Sequence, residues 1–203
     1  MNQLPFADAC ERNKGPILEA LRQVLPSHGR ILEIGSGTGQ HVVYFAPHFP
    51  ELLWQPSDRR ENLDGISLRL EQEGSSNVLP PVELDVLEQW PEQVFDSVFS
   101  ANTSHIMSWD AVCAMFAGLE LRLVPGGVLC LYGPFNQRGR FTAPSNEEFD
   151  LQLRARSPHM GLRDIEALES LAQRHQMSLE LQHAMPANNQ LLVFRKKKES
   201  ASE

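Results

Sequence analysis

Glu33, Gly35, Gly37 and Gly39 fall within seven positions of one another, in the stretch I-L-E-I-G-S-G-T-G-Q-H at Ile31–His41. Glycines this dense allow a turn with positive φ, and a backbone without Cβ lets a ligand come close to its N–H groups. Apolar residues around Glu33 read as a short buried strand, and an apolar helical pattern resumes at Val42. Strand, glycine turn and helix together make a nucleotide-type site. Strand alternation could aim the Glu33 carboxylate toward the ligand mouth. A dinucleotide fingerprint wants its third glycine at position 40, where Gln40 stands, and Gly39 comes early. That departure disfavours a nicotinamide-dependent oxidoreductase.

Asp58 follows Gly39 by 19 residues, after the short strand Leu52–Trp54. A carboxylate at the end of a second strand can accept both hydroxyls of a ribose, and it can equally cap the helix expected over Arg59–Glu73. N-T-S-H-I-M-S-W at 102–109 follows an apolar strand at Phe95–Ala101. Ligands of doubly wound sheets bind outside the carboxyl ends of the strands, so Asn102, Ser104 and His105 are expected nearest the reacting atoms. An imidazole with the ordinary pKa of about 6.5 could take a proton there at neutral pH. The stretch 133–150 leaves the fifth strand at the same end of the sheet, and its length and turn formers suggest a binding loop or lid. Asn136, Arg138, Arg140, Phe141 and Asp150 are its expected substrate contacts, with Tyr132 at the strand end.

The elements that must hold these groups alternate. Pro16 is expected to open a helix through Leu25 after a polar arm, residues 1–15, in which Arg12 and Asn13 could reach a ligand. His41–Ala46 reads as a helix cut short by Pro47, and Val82–Val86 as a third strand. Asp110–Leu123 reads as a helix and Val128–Tyr132 as the fifth strand. Helices are expected at Asn146–Arg156 and Asp164–His175, then a hairpin from Met177–Gln182 to Gln190–Arg195, and a disordered tail over 196–203. The pattern predicts a single α/β domain over 1–195. It is a doubly wound, mostly parallel seven-stranded sheet of Rossmann-like type with a C-terminal antiparallel hairpin.

With 203 residues, 41% of them hydrophobic, the chain suits one globular domain. A formal net charge of −8 argues against a general nucleic-acid binder. Cys10, Cys113 and Cys130 form no C-x-x-C pair, and no metal site is expected. Charged residues interrupt any export signal, and no apolar run reaches the roughly 20 residues that span a bilayer. The expected location is the cytoplasm.

A-C-E-R-N-K-G-P-I at 9–17, the glycine stretch, Y-G-P-F-N at 132–136, and S-N-E-E-F-D-L-Q-L-R-A-R-S-P-H-M-G-L-R-D at 145–164 resemble the methyltransferase-like 26 family over nearly the whole chain. Glu33 with the glycines alone is similar to the first motif of class I S-adenosylmethionine-dependent methyltransferases. The resemblance implies that fold and binding of S-adenosylmethionine, with S-adenosylhomocysteine as product. It places Glu33, Gly35, Ser36, Gly37 and Gly39 on the cofactor, Asp58 on its ribose, and Asp85 with the Val86 amide on adenine. Arg12 and Asn13 become arm contacts. Asn102 and His105 become the catalytic candidates, and Tyr132, Asn136, Arg138 and Asp150 the substrate side. It names no acceptor, although no N-P-P-Y follows the fourth strand as in methylation of amino groups on bases or glutamine. The acidic balance favours a small molecule. A regulatory protein that binds the cofactor without catalysis is the alternative.

Overall fold

The computed structural model describes residues 4–198. Helix α1 spans Asp8–Val24, β1 Gly29–Ile34, α2 Gln40–Phe45, β2 Leu52–Asp58 and α3 Arg60–Glu73. Strand β3 (Val82–Glu83), β4 (Phe95–Ala101), α4 (Trp109–Arg122) and β5 (Leu123–Gly133) follow. The chain ends with β6 (Phe135–Asn136), α5 (Pro144–Arg156), β7 (Arg163–Asp164), α6 (Ile165–Arg174), β8 (Met177–Met185) and β9 (Asn189–Lys196). Seven strands form one sheet in the order β3-β2-β1-β4-β5-β9-β8, and β6 pairs with β7 apart from it. Only β9 runs against its neighbours in the large sheet. The expected Rossmann-like sheet with a C-terminal antiparallel hairpin is thus observed.

Alternation along each strand divides the core in two, because successive side chains point to opposite faces. Leu32, Ile34, Leu129, Leu131, Leu192 and Phe194 pack with Val112, Phe116 and Leu119 of α4 and Leu168 of α6. Ile31, Val128, Cys130, Leu191 and Val193 pack with Ile17 and Leu21 of α1 and Val42 and Phe45 of α2. Burying both faces explains why these strands are continuously apolar. The β8–β9 turn falls beside Gly133, since Gly133 pairs with Gln190. It therefore joins the carboxyl edge where the glycine loop lies.

Several expected boundaries move. Pro16 lies inside α1 and does not open it. Asp8 and Glu11 in the first turn suit the positive helix end, and the Arg12 carbonyl that Pro16 deprives of a partner belongs to an exposed residue. Strand β3 stops at Glu83, because the Leu87 N–H donates to Asp85 Oδ1 and the Glu88 N–H to the Asp85 carbonyl, turning the chain away. The supposed long loop is broken up by β6 and by α5, which starts at Pro144, a residue suited to the first helical turn. Lys196 belongs to β9, and its Nζ donates to the Glu120 and Leu123 carbonyls at the end of α4. Residues 199–203 of the expected tail and 1–3 of the arm lie outside the described residues. Among the described residues no helix is long and apolar enough to cross a membrane.

Candidate functional site

The loop between β1 and α2 is held by the neighbouring strand. Gly35 and Ser36 donate their N–H groups to the Ser57 carbonyl, both at 3.0 Å, and the Gly37 N–H donates to Asp58 Oδ2 at 2.6 Å. Gly35 has φ +74, and a Cβ there would stand 2.6 Å from Thr103 Oγ1, so glycine is needed both for the turn and for the approach of the segment after β4. Gly37 differs: its φ is +56, yet a Cβ would meet nothing within 4 Å. Open space lies over the middle of the loop.

Two acids sit at this point. Asp58 closes β2, and its Oδ1 also accepts from the Arg59 N–H and from Asn62 Nδ2, each at 2.8 Å. A carboxylate has about four lone-pair directions, so acceptor capacity remains for a ligand hydroxyl. Glu33 is 1% exposed and accepts from the Ser36 hydroxyl at 2.6 Å. Strand alternation turns it beneath the loop and not toward an open mouth as expected. Burial pushes its carboxyl up to about 7, against the Ser36 hydrogen bond and with a further push from the Asp58 charge.

The arm reaches the loop from above. Gln40, the first residue of α2, accepts at Oε1 from the Ala7 N–H and the Thr38 hydroxyl, and donates from Nε2 to Glu11. Arg69 of α3 is buried and donates to the carbonyls of Thr38 at 2.7 Å and Pro5 at 2.6 Å while pairing with Glu73. Asn13 is buried beside His41, with Asn13 Oδ1 2.7 Å from His41 Nε2. Burial lowers the His41 pKa to about 4, so the ring is neutral and donates to that oxygen. Burial pushes the Tyr132 phenol up, and neighbouring Asn13 offsets this in part. Tyr132 therefore belongs with the arm and not with the acceptor side as expected, because alternation along β5 turns it to the face that carries α1. Arg12 is exposed while Asn13 points inward. Neither Gln40 nor Arg69 stood out in the sequence, although Gln40 directly follows the glycines.

Beyond β4 the chain bends at Asn102, which holds φ +57, a left-handed conformation that Asn tolerates better than most residues. Its N–H donates to the Tyr132 carbonyl at 2.8 Å. His105 is 4% exposed, its ring edge-on to Phe149 of α5 with centroids 5.2 Å apart. Its Nδ1 is buried without a hydrogen-bond partner, and a Cβ on Gly133 would lie 3.6 Å from both that atom and Asn102 Oδ1. The ends of β4 and β5 thus bring His105, Asn102 and Gly133 together. Burial, with a smaller push from the Arg163 charge, lowers the His105 pKa to about 4, well below the 6.5 expected of it. The ring is neutral at pH 7 and suited to accept a hydrogen bond, but it is a weak base. Arg163 holds this segment by donating to the carbonyls of Ser104 (2.9 Å), Met107 and His159 (3.1 Å).

The remaining candidates divide. Asn136 Oδ1 is buried and has no partner, and Asn136 lies on β6 directly after the β5 exit. Asp150 accepts from Arg154 Nε at 2.6 Å and from the Leu162 N–H at 2.7 Å, so it fastens α5 to the chain before β7 and does not offer itself to a substrate as expected. Arg138 lies in a tight turn whose open cleft, about 680 Å³, is lined by Gln137, Arg138, Arg140, Phe141 and Thr142. Asp85 keeps one oxygen on its own turn, and the Val86 side chain packs into the core toward α4. Among the described residues no group of three or more His, Cys, Asp or Glu is placed to hold a metal.

A family model described as "Protein of unknown function (DUF938)" matches residues 4–196. Among solved structures the fold is similar to an O-methyltransferase family protein from Burkholderia thailandensis, with TM-score 0.81 and 15% identity over 95% of this chain and 59% of that one. It is also similar to human N-acetylserotonin methyltransferase in complex with SAM, with TM-score 0.81 and 14% identity over 94% of this chain and 53% of that one. CalO1, a methyltransferase of calicheamicin biosynthesis in SAH-bound form, gives TM-score 0.75 and 17% identity over 91% of this chain and 54% of that one. The likeness at these identities is one of fold. The chain spans little more than half the length of these structures.

Proposed function

The chain belongs to the DUF938 family, and from that premise we propose that it is an S-adenosylmethionine-dependent methyltransferase acting on a hydroxyl group of a small molecule. The observation that carries this is Gly37: a turn residue with open space where its Cβ would be, its amide held by Asp58 at the end of the neighbouring strand. Glycine there leaves room for a ligand against the backbone, and Asp58 stands where ribose hydroxyls would be accepted. The solved methyltransferases that share the fold, two of them with SAM or SAH, support the reading. The narrower resemblance to methyltransferase-like 26 proteins, the single domain over 1–195 and a cytoplasmic location are parts of the same proposal.

The loop Gly35–Gly39, Asp58 and Asp85 would hold the cofactor, which supplies its methyl group already activated as a sulfonium. What remains for the protein is alignment and exclusion of water. The N-terminal segment, tied down by Gln40 and Arg69, walls the site on one side. His105, with its proton on Nε2, accepts a hydrogen bond at Nδ1 from the acceptor hydroxyl and orients the oxygen; the proton that the oxygen loses on methylation passes to solvent, since a ring with a pKa near 4 does not keep it. Asn102 and Asn136 supply the neighbouring polar contacts.

Calorimetric titration with S-adenosylhomocysteine, beside an Asp58→Ala variant, tests the reading. Micromolar binding that the substitution weakens at least tenfold is expected, followed by label transfer from methyl-labelled cofactor to small hydroxyl compounds. Absence of binding by the wild-type chain overturns it. Binding without transfer to any acceptor would favour the regulatory alternative.

A further inference from the structure

The turn Gln137–Arg140 carries a charge arrangement that the methyl-transfer reading does not use. Arg138 and Gly139 have φ +53 and +66, and Gln137 and Arg140 exchange backbone hydrogen bonds of 2.9 and 3.1 Å, the geometry of a two-residue hairpin. Such turns normally place Asn, Asp or Gly at the first central position, because Cβ is crowded there and only a missing Cβ or a local side-chain hydrogen bond relieves the strain. Arginine occupies it here. Two carboxylates take the backbone of the turn and not its guanidinium groups: Glu166 accepts from the Arg138 N–H at 2.9 Å and Asp164 from the Gly139 N–H at 2.6 Å. They fasten the turn by its backbone, and neither guanidinium of Arg138 or Arg140 has an ion pair among the described residues. Both arginines line the open cleft with Phe141, which is 38% exposed.

An arginine in the left-handed conformation at a turn is an outlier that points to function. Planar guanidinium groups match carboxylate and phosphate oxygens in pairs, and an aromatic ring accepts an apolar body. The chain as a whole carries −8, so an anionic ligand would be repelled unless a local positive site met it. We infer that this cleft selects the acceptor: a small hydroxyl compound bearing a carboxylate or phosphate, its anion held by Arg138 and Arg140 and its apolar part lying on Phe141. The inference rests on the methyltransferase reading for the word acceptor, while anion binding itself can be measured without it.

The test is titration of 3-hydroxybenzoate, 3-hydroxyphenyl phosphate and the neutral isostere 3-hydroxybenzamide into the protein, with and without S-adenosylhomocysteine, followed by protein-observed NMR. At least one anion should bind tenfold or more tightly than the benzamide, and which one does so separates carboxylate from phosphate recognition. That preference should vanish in Arg138→Gln/Arg140→Gln, whereas Phe141→Ala should weaken the anion and the amide alike. Equal binding of charged and neutral probes, binding of none, or a preference that survives the double substitution overturns the inference. Failure to bind S-adenosylhomocysteine with the anion preference intact would sink the methyltransferase reading and leave the anion site standing.

Discussion

Gly35→Ala and Gly37→Ala should separate the two reasons for glycine in one loop. Both positions have positive φ, +74 and +56, and alanine in the left-handed region costs about 1–2 kcal/mol, partly offset by about 0.4–1 kcal/mol from a less flexible unfolded chain. At Gly37 nothing lies within 4 Å of the added Cβ, so the net loss of stability should stay near 1 kcal/mol or below it. At Gly35 the Cβ would stand 2.6 Å from Thr103 Oγ1 and 2.8 Å from Thr103 Cγ2, against ordinary contact at 3.4–4 Å. Overpacking of that kind adds about 1–3 kcal/mol, for a total of about 2–4 kcal/mol. Thr103→Ala removes both overlapping atoms and leaves only Cβ at 3.3 Å, so the double variant should recover about 1–2 kcal/mol relative to additivity. Urea unfolding at pH 7.5 with unchanged m-values measures each term. Calorimetry with S-adenosylhomocysteine should then show Gly37→Ala losing more affinity than stability, since its methyl group enters the space assigned to the ligand. Equal losses of stability at the two positions, or no coupling to Thr103, would refute the steric reasoning. Wild-type affinity in Gly37→Ala would refute the assignment of that space.

Further predictions concern charge and the arm. Glu33 titrates at about 7 when folded against 4.5 as a free group, so the unfolded chain gives up its proton first and the Glu33 contribution to stability falls between those pH values, by about 3 kcal/mol. His41 and His105 raise stability over part of the same window, so Glu33→Gln should make stability rise more steeply with pH than in the wild type, in urea melts recorded from pH 4.5 to 8; an unchanged slope places the pH dependence elsewhere. His41 and His105 act in the opposite sense, with folded values near 4 against 6.5, so each contributes about 3 kcal/mol above pH 6.5 that is lost as pH falls through 4. His105→Gln should remove its share and lower methyl transfer by about five- to tenfold, the loss of one orienting hydrogen bond of about 1–1.5 kcal/mol, and the wild-type rate profile should carry no inflection near 6.5 that His105→Gln abolishes; such an inflection would contradict its burial. Arg69→Ala should cost about 3 kcal/mol and expose the first residues to limited proteolysis, because it frees the Pro5 carbonyl and the loop carbonyl of Thr38 together; protection equal to wild type would show that other contacts hold the arm.

The fold was legible because alternating strands and helices leave a periodic apolar record, and the glycine loop because its spacing has few uses. Three errors share a cause in tertiary context. Pro16 normally marks a helix start, yet a helix can pass through proline when the carbonyl it orphans belongs to an exposed residue such as Arg12. Position at a strand end suggests an acceptor-side Tyr132, but the face it takes depends on register and places it with Asn13. A free imidazole would titrate near 6.5, whereas Phe149 and the ends of two strands remove His105 from water. Arg69 illustrates why such context escapes a linear reading. Four residues before Glu73 it looks like half of a surface ion pair; that pair forms, but the guanidinium also donates to carbonyls 31 and 64 residues away in the chain. Those distant bonds join the arm, the glycine loop and α3 at one guanidinium. The space proposed for the ligand beside Gly37 lies in a loop that Gln40 and Arg69 tie to the arm and to α3, so substitutions at Gln40 or Arg69 should alter binding without touching a ligand.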